Sequence, residues 1–271
     1  MPEIKRAAAG NAVRDGVSTR ELVDYWDERS TSYFKGVARE LSDERRGAWE
    51  HMFDALVEER PDGSILRVLD LGCGPGFFSV IFATRGFEVS AIDMSAAMIE
   101  RARQNLEAEL LADRVEFHQG DFTSLPFADN MFDLAVARNV TWLMRDPEGA
   151  YAEWLRVLAP GGKLLVFDAN WYNYLANPEA DAKRRACPKG DALEGWDEEA
   201  QATSDEEERC EEMARKLPLS SVLRPAWDLE ALARLGASSV RADEGVWRDL
   251  WTESEQLCYA YAPLFLVEAI K

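Results

Sequence analysis

The chain of 271 residues, 47% of them hydrophobic, is long enough to bury a full core as one α/β domain with an appendage rather than as two independent domains. Its formal net charge of −19 opposes a phosphate backbone, because non-specific nucleic-acid affinity comes from Lys and Arg displacing counterions. No stretch approaches the ~18 uninterrupted apolar residues of a bilayer span, the first residues lack a secretory signal, and Cys73, Cys187, Cys210 and Cys258 form no Cys-x-x-Cys pair; membrane insertion, a metal site and a disulfide framework are therefore not expected, and a cytoplasmic location is.

Residues 1–60 read as a helical cap. Ser18-Thr19-Arg20-Glu21 fits a capping box, in which Ser and Glu satisfy free backbone N–H groups at a helix start. A second helix carries Trp49, Met52, Phe53, Leu56 and Val57 on one face and stops before Pro61-Asp62-Gly63, the expected boundary with a 61–271 domain. Short apolar runs then alternate with helical segments, the pattern of parallel strands joined by crossover helices. The strands are expected at 65–71, 87–92, 114–118, 132–137 and 163–167. Asp146-Pro147 reads as a helix start, with a capping side chain followed by proline, and Ala159-Pro160-Gly161-Gly162 as the turn that ends this helix.

The alternation breaks at a polar insertion spanning about 170–224, placed where ligands bind in open α/β sheets and hence a lid candidate. Its acidic stretch, from Asp191 through Asp205-Glu206-Glu207-Glu208 to Glu212, reads as a solvated helix face, and it adjoins the one dense basic run, Lys183-Arg184-Arg185 followed by Lys189. A helix at 227–236, a strand at 239–242 and a closing strand at 264–270 complete the chain.

The informative segment is Val68-Leu69-Asp70-Leu71-Gly72-Cys73-Gly74-Pro75-Gly76-Phe77-Phe78: a buried strand, a glycine-rich turn and a helix. Such a turn lets the backbone approach a ligand, and the helix start presents free N–H groups. Asp93 ends the next strand, where a carboxylate accepts both hydroxyls of a ribose. That logic serves NAD as well as S-adenosylmethionine (SAM). An NAD(P)-dependent Rossmann oxidoreductase wants a third glycine for close helix–strand packing, and here position 77 is Phe.

The spacing Asp70-x-Gly72-x-Gly74-x-Gly76 resembles the first motif of class I SAM-dependent methyltransferases. Ala91-Ile92-Asp93-Met94-Ser95, Gly120-Asp121-Phe122, Phe132-Asp133-Leu134 and Leu158-Ala159-Pro160-Gly161-Gly162-Lys163-Leu164 look like the later markers of that superfamily, in order. The similarity is strongest over residues 65–170 and is closest to the methyltransferases of quinone biosynthesis. It implies a Rossmann-like, doubly wound, seven-stranded sheet, mostly parallel with an antiparallel last strand, plus N-terminal helices and a helical lid insertion. It implies SAM as cofactor, S-adenosyl-L-homocysteine as product and methyl transfer to a small molecule.

Residue by residue, the resemblance places Gly72, Cys73, Gly74 and Gly76 against the methionine part of SAM, with Asp70 near its ammonium. Asp93 would bind the ribose, Met94 would pack on adenine, and Asp121, beside Gly120 and Phe122, would accept from the adenine amino group. The backbone at Arg138-Asn139 would close the methionine side, and Tyr33, following Trp26, would reach the cofactor. Tyr25, Trp142, Asn170, Trp171 and Tyr172, with Tyr174, are the candidate acceptor-side residues; for the aromatic ones, packing between lid and core is the competing reading. His51 and His118 read as exposed or structural, Asp168 is merely available as a proton acceptor, and no base is named. No motif specifies the acceptor atom or the oligomeric state, and a protein that binds SAM without turning it over carries the same motifs.

Overall fold

The computed structural model describes residues 16–58, 63–189 and 202–271. Two helices come first, α1 (Thr19–Ser42) and α2 (Glu44–Leu56). They are followed by β1 (Arg67–Leu71), α3 (Phe77–Thr84), β2 (Glu88–Asp93), α4 (Ala96–Ala108), β3 (Val115–Gln119), β4 (Phe132–Arg138), α5 (Pro147–Val157) and β5 (Leu158–Asp168). The remainder is α6 (Pro178–Ala186), α7 (Ser204–Ala214), α8 (Ala226–Arg234), β6 (Ser239–Asp243), α9 (Trp247–Leu250), α10 (Glu253–Cys258) and β7 (Phe265–Ile270).

The seven strands form one sheet in the order β3-β2-β1-β4-β5-β7-β6. The first five neighbours pair in parallel, and β7 runs antiparallel to both β5 and β6. Chain direction across the sheet reverses between β1 and β4, so the carboxyl ends of those strands open a crevice at the switch point. The central strands are buried on both faces. Leu69, Leu71, Ala135, Ala137, Leu164 and Val166 point into one apolar cluster, and Val68, Leu134, Val136, Leu165 and Phe167 into the other, because successive side chains of a strand alternate sides.

The expected capping box holds: the Ser18 hydroxyl accepts from the Glu21 N–H at 3.2 Å, and Glu21 accepts from the Ser18 N–H at 2.7 Å. Trp49, Phe53 and Leu56 are buried on α2, with Trp49 edge-on to Phe167 at 4.9 Å and to Phe78 at 5.1 Å. Of the expected Pro61-Asp62-Gly63 boundary, Pro61 and Asp62 lie outside the described residues. Asp146 caps α5 through the Gly149 N–H at 3.1 Å, with Pro147 in the first turn.

The Ala159–Gly162 segment differs from the turn expected of it. It is already part of β5, which begins at Leu158 and slips register against β4 between Phe132 and Leu134. The cause lies far along the chain: the Gly161 N–H donates to the Lys271 carbonyl at 3.1 Å and the Lys271 N–H to the Gly162 carbonyl at 2.9 Å. Gly161 has φ of 78°, and a Cβ on Gly162 would lie 2.8 Å from the Ala159 carbonyl oxygen, so the bulge depends on both glycines.

The insertion after β5 is helical as expected, but it is not held by polar groups alone. A short 3₁₀ turn at Asn173–Leu175 leads to α6; then α7 turns Cys210, Met213 and Ala214 into the main core, with Leu217 beside them. Asp205, Glu207, Glu208 and Glu212 are exposed, as a solvated face requires, while Asp191 and its neighbours through 201 lie outside the described residues. Among the described residues no helix is long and apolar enough to cross a membrane.

Candidate active site

The crevice beyond β1, β2 and β4 is divided into a narrow cleft and a larger chamber, both roofed by α1. Gly72, Gly74, Asp93, Met94 and Phe122 wall the cleft. The chamber encloses about 620 Å³ and lies between α1, the segment after β5, α7 and the residues from Trp251 to Leu264. Trp26, Tyr33, Arg138 and Asn139 line both, so a molecule in one reaches a molecule in the other at these four residues.

The glycine turn makes the cleft possible. Gly72 has φ of 62°, and a Cβ there would come within 2.6 Å of Val140, closing the loops after β1 and β4 onto each other. Gly76 has another purpose: it caps α3 in the left-handed region, and a Cβ would meet Ala102 of α4 at 2.9 Å. It thus sets helix packing and does not face the cleft. The Cys73 thiol is likewise off the wall; its N–H bonds the Ile92 carbonyl at 3.0 Å and ties the turn to β2.

Asp93 stands where the sequence puts it. One oxygen accepts from the Gly74 N–H at 2.8 Å and the other from the Ser95 N–H at 2.9 Å, which aims the carboxylate across the cleft. Burial pushes its pKa up to about 6. Ser95 caps α4 and donates to Asp27 of α1 at 2.5 Å, so the roof is pinned beside Asp93.

Besides Cys73 and Gly76, three cofactor assignments do not reach the wall. Asp70 is buried beneath the turn, where it accepts from the Ser79 hydroxyl at 2.6 Å instead of facing an ammonium. Gly120 packs against Ile92 and donates its N–H to the Asp93 carbonyl at 2.9 Å. Asp121 is engaged on both oxygens, one with the Thr123 N–H and hydroxyl at 2.9 and 2.6 Å, the other with Arg145 at 3.1 Å. Phe122 and Met94 are on the cleft wall.

Asp70 carries a pH consequence. Burial raises its pKa from 3.8 to about 7, so between those values the folded chain holds a proton that the unfolded chain has lost. Stability therefore falls as pH rises from about 4 to about 7. Asp70→Asn is expected to flatten that fall by about 2–4 kcal/mol, measured by urea denaturation at pH 5 and 8. An unchanged slope would refute the assignment.

At the junction, Arg138 makes a bidentate pair with Glu40 of α1, with contacts of 2.8 and 3.0 Å, and lies 4.7 Å over the Phe77 ring and 4.8 Å over Trp49. Its Nε is buried without a partner, as are Trp26 Nε1 and Asn139 Oδ1. Asn139 has φ of 56°, a region Asn tolerates better than most residues. Two N–H donors and one carbonyl acceptor are the complement of an amino acid's carboxylate and ammonium, and a carboxylate at the tip of β2 suits a ribose. The donor set fits SAM.

The chamber is ringed by aromatic side chains. Trp26 lies 6.5 Å from Trp142, Trp142 4.6 Å from Tyr172, Tyr172 6.3 Å from Tyr174 and Tyr174 5.9 Å from Tyr261. Trp171 faces it from the other side, 5.6 Å from Tyr259. Tyr172 bonds the Cys210 thiol of α7 at 2.9 Å. Asn170 is not on the wall. Its amide is used by the Arg224 backbone, donating to the carbonyl at 2.8 Å and accepting from the N–H at 3.0 Å, which fastens the insertion's end.

Asp168 is unsuited to proton transfer as well. It is fully buried and accepts from the Thr141 N–H and hydroxyl, the Ala169 N–H and Arg224. His51 is exposed, and His118 packs edge-on to Phe127 at 4.8 Å; neither lines the cleft or the chamber. Among the wall residues that sequence reasoning missed are Glu40, Arg45, Cys210, Trp251, Tyr259 and Tyr261. They sit on helices and loops far from any motif, so only their amphipathic placement could have flagged them.

A family model described as a methyltransferase domain matches residues 62–222. Over 131 residues the chain is 38% identical to the ubiquinone/menaquinone biosynthesis C-methyltransferase UbiE of Dinoroseobacter shibae, an alignment covering 46% of this chain and 50% of that protein. Over 165 residues it is 30% identical to the sterol 24-C-methyltransferase ERG6B of Gibberella zeae, covering 60% of this chain and 43% of that one. The chain thus spans about half the length of these curated relatives. Among solved structures, geranyl diphosphate C-methyltransferase from Streptomyces coelicolor superposes with a TM-score of 0.59 at 16% identity, over 93% of this chain and 97% of that one, a likeness of fold.

Proposed function

This chain belongs to the methyltransferase domain family, and from that premise we propose that it is a SAM-dependent methyltransferase that transfers a methyl group to a small-molecule acceptor by in-line displacement. The observation that carries the proposal is the shared junction: Trp26, Tyr33, Arg138 and Asn139 line both the cleft that suits a nucleoside and the chamber beside it. When bound, SAM supplies a methyl already activated by its sulfonium. The protein's own task is position.

Asp93 would accept from the ribose hydroxyls, with Met94 and Phe122 against the adenine. Asn139 Oδ1 would take the ammonium, and Arg138 Nε and Trp26 Nε1 the carboxylate, which satisfies three buried atoms otherwise without partners. The Trp26, Tyr33 and Trp142 rings line the chamber's junction side; aromatic faces stabilise a neighbouring cation by about 0.5–2 kcal/mol. Alignment of two reactants contributes as much as ~7–11 kcal/mol to a displacement of this kind. Burial holds the Tyr33 and Tyr172 phenols above their ordinary range, so they stay protonated at neutral pH and act by shape and hydrogen bonding rather than as bases.

Helix α1, within the 1–60 cap, lines both cavities, where its side chains would limit the water around the reacting groups. The acidic surface disfavours a nucleic-acid substrate, and we place the protein in the cytoplasm, where its four cysteines, none of them in a disulfide, stay reduced. Incubation of the purified chain with SAM and a mixture of small-molecule acceptors is expected to release S-adenosyl-L-homocysteine only when acceptor is present. Tight SAM binding with no release under any acceptor would favour a non-catalytic SAM-binding protein; NAD binding with no SAM affinity would favour the oxidoreductase.

A further inference from the structure

The chamber wall is rich in charge, yet its guanidinium groups are already engaged. Arg45 lies 2.6 Å from Asp43 and 3.0 Å from Glu255, Arg138 2.8 Å from Glu40, Arg184 3.5 Å from Glu211 and Arg29 3.6 Å from Glu206. Arg39 has a partner as well. Each cation is thus offset by a carboxylate beside it, so away from the junction the wall offers an anionic group little net positive charge to balance its desolvation.

Two wall hydroxyls are similarly taken: Tyr172 by Cys210 and Tyr174 by Glu211 at 2.7 Å. Trp171 is different. Its indole Nε1 is buried and has no acceptor, although its ring is braced by Tyr259 at 5.6 Å and Trp251 at 6.2 Å. Buried indole N–H groups nearly always find a partner, and this one belongs to a wall residue of the chamber alone, away from the junction atoms that suit the cofactor. The space of about 620 Å³ is in the size class of pockets that enclose a multi-ring molecule, and its lining of ring faces suits a flat one.

We infer, on the methyltransferase reading above, that the acceptor is a flat aromatic molecule without a phosphate or carboxylate group, one oxygen of which accepts a hydrogen bond from Trp171 Nε1. Trp171 is then a specificity-determining residue. It selects oxygen-bearing rings by direct donation, while the paired arginines leave anionic ones uncompensated.

The test uses naphthol, naphthalene and naphthyl phosphate as probes, titrated calorimetrically at neutral pH into the whole chain, first saturated with S-adenosyl-L-homocysteine and then without it. Naphthol is expected to bind at least tenfold tighter than naphthyl phosphate and at least threefold tighter than naphthalene. Trp171→Phe keeps a ring in the stack but removes the donor, so it should weaken naphthol by about three- to tenfold and leave naphthalene unchanged. Equal or tighter binding of the phosphate, an equal loss for naphthol and naphthalene in the variant, or no saturable naphthol binding would overturn the inference. The wild-type comparison decides if the variant fails to fold. Absence of S-adenosyl-L-homocysteine binding, measured in the first step, would instead strike the cofactor reading, while the probe preference without it judges the chamber independently.

Discussion

Asp93→Ala is expected to weaken SAM binding by about 2–3 kcal/mol, roughly 30- to 160-fold, and to leave the sheet folded. The side chain receives two backbone N–H groups, from Gly74 and Ser95, which orient it and leave its remaining lone pairs for a diol. Truncation removes a charged acceptor and also frees the glycine turn from β2. The same carboxyl has its pKa pushed up to about 6 by burial, and its ionised form is the better acceptor. Wild-type affinity should therefore decline as pH falls from 7 to 5, with the variant flat over that range. Calorimetric titration at both pH values checks this; equal affinity of the two proteins at pH 7 would remove the ribose from Asp93.

The second large effect concerns the fastening of the insertion to the sheet. Arg224 is almost wholly buried between Asp168 at 3.2 Å and Asp228 at 2.6 Å, and its cation lies 5.1 Å over Phe265. Tyr151 donates to Asp228 from the other side. Arg224→Leu is expected to destabilise the fold by about 3–5 kcal/mol, because it leaves two carboxylates buried without their cation. Adding Asp228→Asn should restore part of that loss, since one of the stranded charges goes with it. Urea denaturation of the single and double variants measures both; a loss under about 1 kcal/mol would show that the triad matters little to the fold.

The two predictions treat carboxylates that look alike in the sequence. Asp70, Asp93, Asp121 and Asp168 all end strands or begin the loops after them, yet only Asp93 lines the cleft. The difference lies in what reaches each from elsewhere. A serine of α3 covers Asp70, an arginine of the next loop meets Asp121, and Arg224 arrives at Asp168 across 56 positions. Asn170 follows the same logic, since the residue that engages its amide lies 54 positions on.

Local grammar was sufficient for the elements and for the cofactor turn. The capping box at Ser18, the Asp146-Pro147 start, the short apolar runs of the central strands and the glycine turn before α3 each depend on neighbours within a few residues, so composition and spacing expressed them directly. The resemblance that these motifs carry extended this to the cofactor.

Tertiary structure decided the rest: that α1 roofs both cavities, that Glu40 meets Arg138 across 98 positions, that Trp171 is left with a donor to offer, and which strand-end carboxylate faces a ligand. Hydrogen-bond satisfaction and charge pairing are settled between groups brought together only by packing. A residue's type shows what it is able to bind, and the fold determines whether that capacity has already been used.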